Sequence, residues 1–280
     1  MPDLLHSVRD VLAARYRVER PLGRGGMATV FLAERVSGGG SIAIKVLHRE
    51  LATALGPERF HREIEILRRL RHPHIVPVLD SDVAGTYLFL VMPYVNGENL
   101  RARIERDGQL PVPSTLSIAR DIAEAIDYAH RHNVLHRDIK PENILLEGDR
   151  ALVCDFGLAR AIDQSTTDSS SSGLVVGTPS YMSPEQGMAR KDIGPASDVY
   201  ALGCVVYEML TGDPPFTGPS AQAIFARHIA DAPRPMRSVR PDLAAGLERA
   251  VLCALAKDTW ARPRSAAAFA DSLEAAAERP

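Results

Sequence analysis

Positions 136–143 read His136-Arg137-Asp138-Ile139-Lys140-Pro141-Glu142-Asn143, and after eleven intervening residues stands Asp155-Phe156-Gly157. This short stretch sets down a carboxylate, an amine, a side-chain amide and a second carboxylate. One carboxylate can orient a hydroxyl proton, and the amine can neutralise charge on a group in transfer. Asn143 and Asp155 offer hard oxygen ligands for a divalent cation, which together is what in-line phosphoryl transfer requires.

A second constellation lies near the start of the chain. Gly23-Arg24-Gly25-Gly26-Met27-Ala28-Thr29-Val30 is glycine-rich, with Ala28 in the third glycine position of a Gly-x-Gly-x-x-Gly pattern. A dinucleotide-binding loop would lead into a helix, but Thr29-Val30-Phe31-Leu32 alternates as a strand. A Walker loop would end in Gly-Lys-Ser/Thr, which this one does not. A strand, glycine turn and strand remain, with backbone N–H groups able to lie over phosphates. Ile42-Ala43-Ile44-Lys45-Val46 has strict period two, which places Lys45 on the face of small Ala43. A helix is predicted over 58–71 with the stripe Phe60, Ile64, Leu67 and Leu70, and the spacing turns Glu63 inward. A buried carboxylate is costly unless paired, and Lys45 is the expected cation.

The elements that must position these groups change character along the chain. Strand-like patterns with one long helix run to about residue 95. Helical periodicity follows over 112–132, 199–210, 221–230 and 243–256. Residues 164–173 form a hydroxyl-rich, apolar-poor loop, and the proline-rich stretches 213–219 and 231–241 read as surface connections. With 280 residues the chain is long enough for one large domain or two coupled lobes. The hydrophobic share of 45% fits a folded globular chain, and a net charge of −2 offers no basic face for nucleic acid. The longest nearly apolar stretch, 199–210, is too short for a membrane span and carries Glu208. The first fifteen residues carry scattered charges and no apolar signal core, so a cytoplasmic location is expected. Cys154, Cys204 and Cys253 are far apart, which argues against a disulfide framework or zinc site and for three thiols in apolar surroundings.

His-Arg-Asp with Asn five residues after the Asp, then Asp-Phe-Gly, resembles the eukaryotic-type Ser/Thr protein kinases. Gly-Gly-Met-Ala at 25–28 is similar to the bacterial branch of that family. Further matching segments are Met92-Pro93-Tyr94-Val95, Gly177-Thr178-Pro179-Ser180-Tyr181-Met182-Ser183-Pro184-Glu185, Ser197-Asp198-Val199-Tyr200-Ala201-Leu202-Gly203 and Trp260-Ala261-Arg262-Pro263. The resemblance covers about residues 16–275. It implies an α+β, two-lobed protein-kinase-like fold: a small mainly-β N-lobe with the C-helix (16–95) and a larger mainly-α C-lobe (96–275). An extension (1–15) would precede it and a tail (276–280) would follow.

The resemblance also implies roles. Asp138 would be the base, chiefly positional because a carboxylate is a weak base at neutral pH. Lys140 would neutralise the transferring group, its place pointing to Ser/Thr rather than Tyr specificity. Lys45 and Glu63 would clamp ATP, and Asn143 and Asp155 would hold Mg²⁺ or Mn²⁺. Gly23 to Val30 would cover the phosphates. Leu22, Val30 and Ala43 above and Leu145 below would enclose adenine, with Met92 as gatekeeper and Val95 bonding through its backbone. His136 would pack beneath the loop in a spine with Leu67, Val78 and Phe156. Glu185 would pair with Arg262, and Asp198 would brace the catalytic-loop backbone. Protein Ser/Thr hydroxyls are the expected substrates, including the chain's own Ser170 and Ser172, with Thr166 and Thr167 next; Arg137 and Arg160 would pair with that phosphate.

Two other readings compete. A catalytically inactive kinase-like scaffold is opposed by the joint presence of Lys45, Asp138, Asn143 and Asp155. A small-molecule kinase is opposed by Lys140 and by Ser183-Pro184-Glu185.

Overall fold

Alternation in the first half is resolved into a five-stranded antiparallel sheet in a computed structural model describing residues 2–156, 179–188, 190 and 193–278. Gly157, Arg160, Thr166, Thr167, Ser170, Ser172, Gly177 and Thr178 lie outside the described residues. Two compact units are formed, one from residues 2–71 and 76–96, the other from 72–75, 97–156 and 179–278.

In the first unit a helix α1 (Pro2–Leu12) precedes strands β1 (Tyr16–Arg24), β2 (Ala28–Arg35) and β3 (Ser41–Leu47). Helices α2 (Arg49–Leu55) and α3 (Pro57–Leu67) follow, then β4 (Asp80–Ala84) and β5 (Tyr87–Pro93), giving the sheet order β1-β2-β3-β5-β4. Ile42, Ile44 and Val46 share one buried face of β3 with Phe31, Phe89 and Val91 of its neighbours. The first residues, expected only as an extension, are helical. Val8 and Leu12, one turn apart, bury against Tyr16 and Val18, and Arg9 Nε donates to the Val18 carbonyl at 2.8 Å.

Helix α3 starts with Pro57 at its first turn, after Gly56 at φ 71°, where a left-handed residue costs glycine nothing. Phe60, Ile64, Leu67 and Leu70 are buried as the stripe predicts. The helix stops at Leu67 rather than continuing to 71, and Pro73 disfavours helical backbone at His72.

The second unit holds β6 (Glu98–Asn99), α4 (Leu100–Asp107), α5 (Val112–Arg131), β7 (Ile144–Glu147) and β8 (Arg150–Val153). It continues with α6 (Pro184–Gly187), α7 (Pro195–Thr211), α8 (Ala221–Ala230), α9 (Ala245–Ala254) and α10 (Ala266–Ala277). Helix α7 is mainly apolar and buried on every side from Ser197 to Thr211, as a central core helix must be. It opens with Pro195 and is closed by Gly212 at φ 89°. Helix α5 turns Ile118, Ile122, Ile126 and Ala129 inward and packs on α7, α10 and β8. Helix α10 runs to Ala277, past the predicted end at 275, and Arg120 Nε donates to its Glu274 at 2.9 Å.

The proline-rich connections lie mostly at the surface, as read from the sequence, and are anchored by buried Phe216 and Met236. One expectation is corrected here. Only Cys204 is an enclosed thiol: Cys154 is half-buried, and Cys253 is exposed because α9 turns Leu247, Val251 and Ala254 inward, leaving residue 253 outside.

Candidate active site

Asp138, Lys140 and Asn143 form one cluster. Lys140 Nζ donates to Asp138 Oδ2 at 2.7 Å. Asn143 Nδ2 donates to the same oxygen at 3.1 Å and to the Asp138 carbonyl at 2.8 Å. Its amide nitrogen is thus committed to Asp138, which leaves the amide oxygen as the group able to face a cation.

Asp155 stands next to this cluster through strand pairing. Asn143 immediately precedes β7 and Asp155 follows β8, and Ile144 pairs with Val153. The Cys154 N–H donates to the Asn143 carbonyl at 3.0 Å. An antiparallel hairpin brings its two outer ends to one place, so residues 143 and 155 become neighbours despite their spacing.

The loop backbone is strained and clamped. Arg137 has φ 66° and Asp155 φ 67°, left-handed values that cost a residue with a Cβ about 1–2 kcal/mol. Asp198, 1% exposed on the first turn of α7, accepts the His136 N–H at 2.9 Å and the Arg137 N–H at 2.8 Å. His130 Nε2 lies 2.8 Å from the same carboxylate. Burial alone pushes the Asp198 carboxyl up. His130, His136 and the backbone donor outweigh it and hold the group below its ordinary value.

His136 is fully buried. Its Nε2 donates to the Cys154 carbonyl at 2.8 Å, Nδ1 accepts the Asp138 N–H at 3.2 Å, and its ring meets Phe156 edge-on at 4.6 Å. Both nitrogens are occupied by backbone, so the residue ties the loop to the strand before Asp155 rather than serving as a base.

Beyond the catalytic loop, Ser183 caps α6 reciprocally with Gln186, whose Nε2 donates to the Arg137 carbonyl at 2.8 Å. Glu185 and Arg262 form a buried bidentate pair, Nη1 to Oε1 at 2.7 Å and Nη2 to Oε2 at 2.9 Å. Burial pushes the Glu185 carboxyl up, but Arg262 and Ser197 hold it below its ordinary value. Sequence reasoning missed the neighbouring network. Arg101 Nη1 donates to Glu208 Oε1 at 2.7 Å and Nε to Glu142 Oε1 at 3.0 Å, and Tyr181 also donates to Glu208. A carboxylate inside a mainly apolar, buried helix does signal that some cation must reach it, though not which.

In the first unit the glycine-rich segment is a hairpin, with Gly23 opposite Val30, Arg24 opposite Thr29, and the Gly25 N–H donating to the Ala28 carbonyl at 2.9 Å. Leu22 lies on β1, and Met27 sits in the turn. A Cβ at Gly23 or Gly26 would meet nothing within 4 Å, and neither has positive φ. Neither conformation nor packing asks for glycine there, so these bare backbones are open to close approach from outside. Lys45 pairs across the sheet with Val30 and Leu90, and Ala43 with Leu32 and Met92. Val95 follows β5 and is half-buried, and Leu145 lies on β7 of the second unit.

Glu63 is half-buried on α3 rather than enclosed. The helical wheel supplies the reason, since position 63 flanks the Phe60–Ile64–Leu67 stripe without lying within it.

An antiparallel sheet with a helix, a mainly helical second unit, and a carboxylate–lysine–amide loop clamped from a buried helix define a protein-kinase-like fold. Residues 16–269 match the family described as protein kinase domain. The chain belongs to that family. It is 40% identical to the serine/threonine-protein kinase pkn2 of Myxococcus xanthus over 95% of this chain and 33% of that protein. It is also 40% identical to the serine/threonine-protein kinase PknB of Mycobacterium leprae over 91% of this chain and 42% of that protein. The chain thus spans less than half the length of these relatives. The crystal structure of the Mycobacterium tuberculosis PknI kinase domain superposes with TM-score 0.74 at 32% identity, covering 94% of this chain and 97% of that one. Rad53 1–466 in complex with AMP-PNP has TM-score 0.78 at 24% identity over 97% of this chain and 70% of that one, a likeness of fold.

Proposed function

We propose that this chain transfers the γ-phosphoryl group of ATP to serine and threonine hydroxyls of proteins. The observation that carries this reading is the Asp138–Lys140–Asn143 cluster on a loop whose backbone Asp198 clamps. Asp138 is held by two donors, so it can orient an acceptor hydroxyl and take its proton as the O–P bond forms. Lys140, bonded to Asp138, supplies positive charge where the phosphoryl group passes. Family membership and the bacterial serine/threonine kinases it resembles support the same substrate class.

The remaining assignments follow from the donor set. Asn143 and Asp155 are the proposed residues that would hold Mg²⁺ or Mn²⁺ through their side-chain oxygens. Such an ion neutralises phosphate charge. The Gly23–Val30 hairpin is the proposed cover for the phosphates, supported by glycines that neither φ nor packing requires. Lys45 is the proposed phosphate-binding cation, with Glu63 its partner in the nucleotide-bound chain. Leu22, Val30, Ala43, Met92, Val95 and Leu145 are proposed to receive adenine. No helix among the described residues is long and apolar enough to cross a membrane. The proposed setting is cytoplasmic, which three free thiols suit.

Autophosphorylation at Ser170 and Ser172, with Thr166 and Thr167 next, is the proposed activating event, supported by the hydroxyl-rich sequence of that loop. The test incubates the purified chain with Mg²⁺, labelled ATP and a protein acceptor, and then maps the phosphosites. Label on serine and threonine is expected. Label only on an aminoglycoside- or choline-type small molecule, or none at all, would refute the reading.

A further inference from the structure

His48 stands immediately after β3, about twenty positions from the glycine turn in sequence, yet it makes three bonds to that turn. Its backbone N–H donates to the Met27 carbonyl at 2.8 Å. Its ring Nδ1 lies 3.1 Å from the Gly26 carbonyl, and Nε2 lies 3.3 Å from Thr29 Oγ1. A carbonyl can only accept, so Nδ1 carries a hydrogen. In the neutral ring Nε2 then accepts from the Thr29 hydroxyl. Thr29 is 5% exposed, so this hydroxyl sits inside the protein, where a partner matters.

The geometry has a consequence for the other side of the turn. In a trans peptide the C=O and the following N–H point in opposite directions. With the Gly26 and Met27 carbonyls both turned toward His48, the N–H groups of Met27 and Ala28 are both turned away from it. Two successive N–H groups aimed to one side form a concavity suited to an anion. A glycine turn without such a tie would spread over many backbone states, and ordering it would draw on the energy of nucleotide binding.

We infer that His48 is a positioning residue for nucleotide phosphate: by holding the Gly26 and Met27 carbonyls it presets the N–H groups of Met27 and Ala28 toward the phosphate oxygens. This rests on the reading of the hairpin as the phosphate cover. Its signature is that His48 matters only to ligands that carry phosphates.

The test measures affinity for Mg²⁺-ATP and for adenosine by calorimetry, using the whole chain as wild type, His48→Leu, His48→Gln and Thr29→Val. Loss of two neutral hydrogen bonds predicts about a tenfold weaker ATP affinity in His48→Leu, with adenosine affinity within twofold of wild type. In turnover the ATP KM should rise similarly while kcat stays within about threefold. His48→Gln, whose amide can still reach Thr29, should recover part of the loss. Thr29→Val should cost less than His48→Leu, and it serves as the probe if the leucine variant does not fold. Equal weakening of ATP and adenosine, or unchanged ATP affinity in a folded His48→Leu, would overturn the inference alone. Wild type that bound adenosine as tightly as ATP would overturn the hairpin reading, and the role of His48 with it.

Discussion

Replacing Asp198 with asparagine changes one atom and should cost both stability and rate. Asp198 Oδ2 serves two donors, the His136 N–H and His130 Nε2, whereas Oδ1 serves one, the Arg137 N–H at 2.8 Å. The least damaging asparagine rotamer keeps its oxygen in the Oδ2 position and turns its NH₂ toward the Arg137 N–H, donor against donor. One charge-assisted bond is lost and a buried N–H is left unmet, together about 2–4 kcal/mol. A domain of this size melts about 2–4 °C lower per kcal/mol lost, so a fall of roughly 5–15 °C is expected. Arg137, at φ 66°, is the residue released, and it immediately precedes Asp138. Relaxation there moves the carboxylate, and displacement by about 1 Å can cost a hundredfold in rate. The assay pairs calorimetric melting with steady-state kinase kinetics. The expected variant folds, melts lower, and loses at least tenfold in kcat with little change in ATP KM. A variant melting within two degrees of wild type with unchanged kcat would refute the clamp, and lower melting with intact kcat would reduce Asp198 to a stabilising residue.

Further outcomes are expected elsewhere. Arg262→Met should strand the Glu185 carboxylate in the core and cost about 3–5 kcal/mol, read as a lower denaturant midpoint; a midpoint equal to wild type would contradict the pairing. Burial and the nearby Lys257 push buried His228 down to about 4 from 6.5, so the unfolded chain binds more protons between those values. Stability should therefore fall as pH drops from 6.5 toward 4, by about 3 kcal/mol in total from this group. His228→Gln should flatten that slope, and an unaltered slope would count against the assignment. Toward a small alkylating reagent Cys253 should react first and Cys154 slowly. Cys204, whose thiol burial pushes up, should resist until unfolding. Peptide mapping with Cys204 labelled early would overturn that order.

The catalytic loop was legible because its groups lie close in sequence, and a hairpin is the shortest way to unite Asn143 with Asp155. β3 and α7 were legible because period two and a nearly apolar run each admit one burial pattern. What escaped notice depends on distant partners. Nothing near Glu208 in sequence identifies Arg101, which is 107 positions away. Residues 2–12 read only as an extension from sequence, since their amphipathic face gains meaning only against the strand that covers it. Glu63 is half-buried because position 63 flanks the apolar stripe of its helix, a placement that spacing alone does not grade. Cys253 shows the same limit, because an apolar neighbourhood in sequence can hold an outward position.

The central claim is that Asp138 acts on the acceptor hydroxyl while nucleotide is held by other groups. Its most direct test compares wild type with Asp138→Asn for two quantities measured on the same preparation: phosphoryl transfer to a protein acceptor, and Mg²⁺-ATP affinity by calorimetry. Transfer reduced by at least a thousandfold, with affinity within about threefold of wild type, is the predicted result. Near-normal transfer by Asp138→Asn, or transfer and ATP affinity lost in equal proportion, would contradict it.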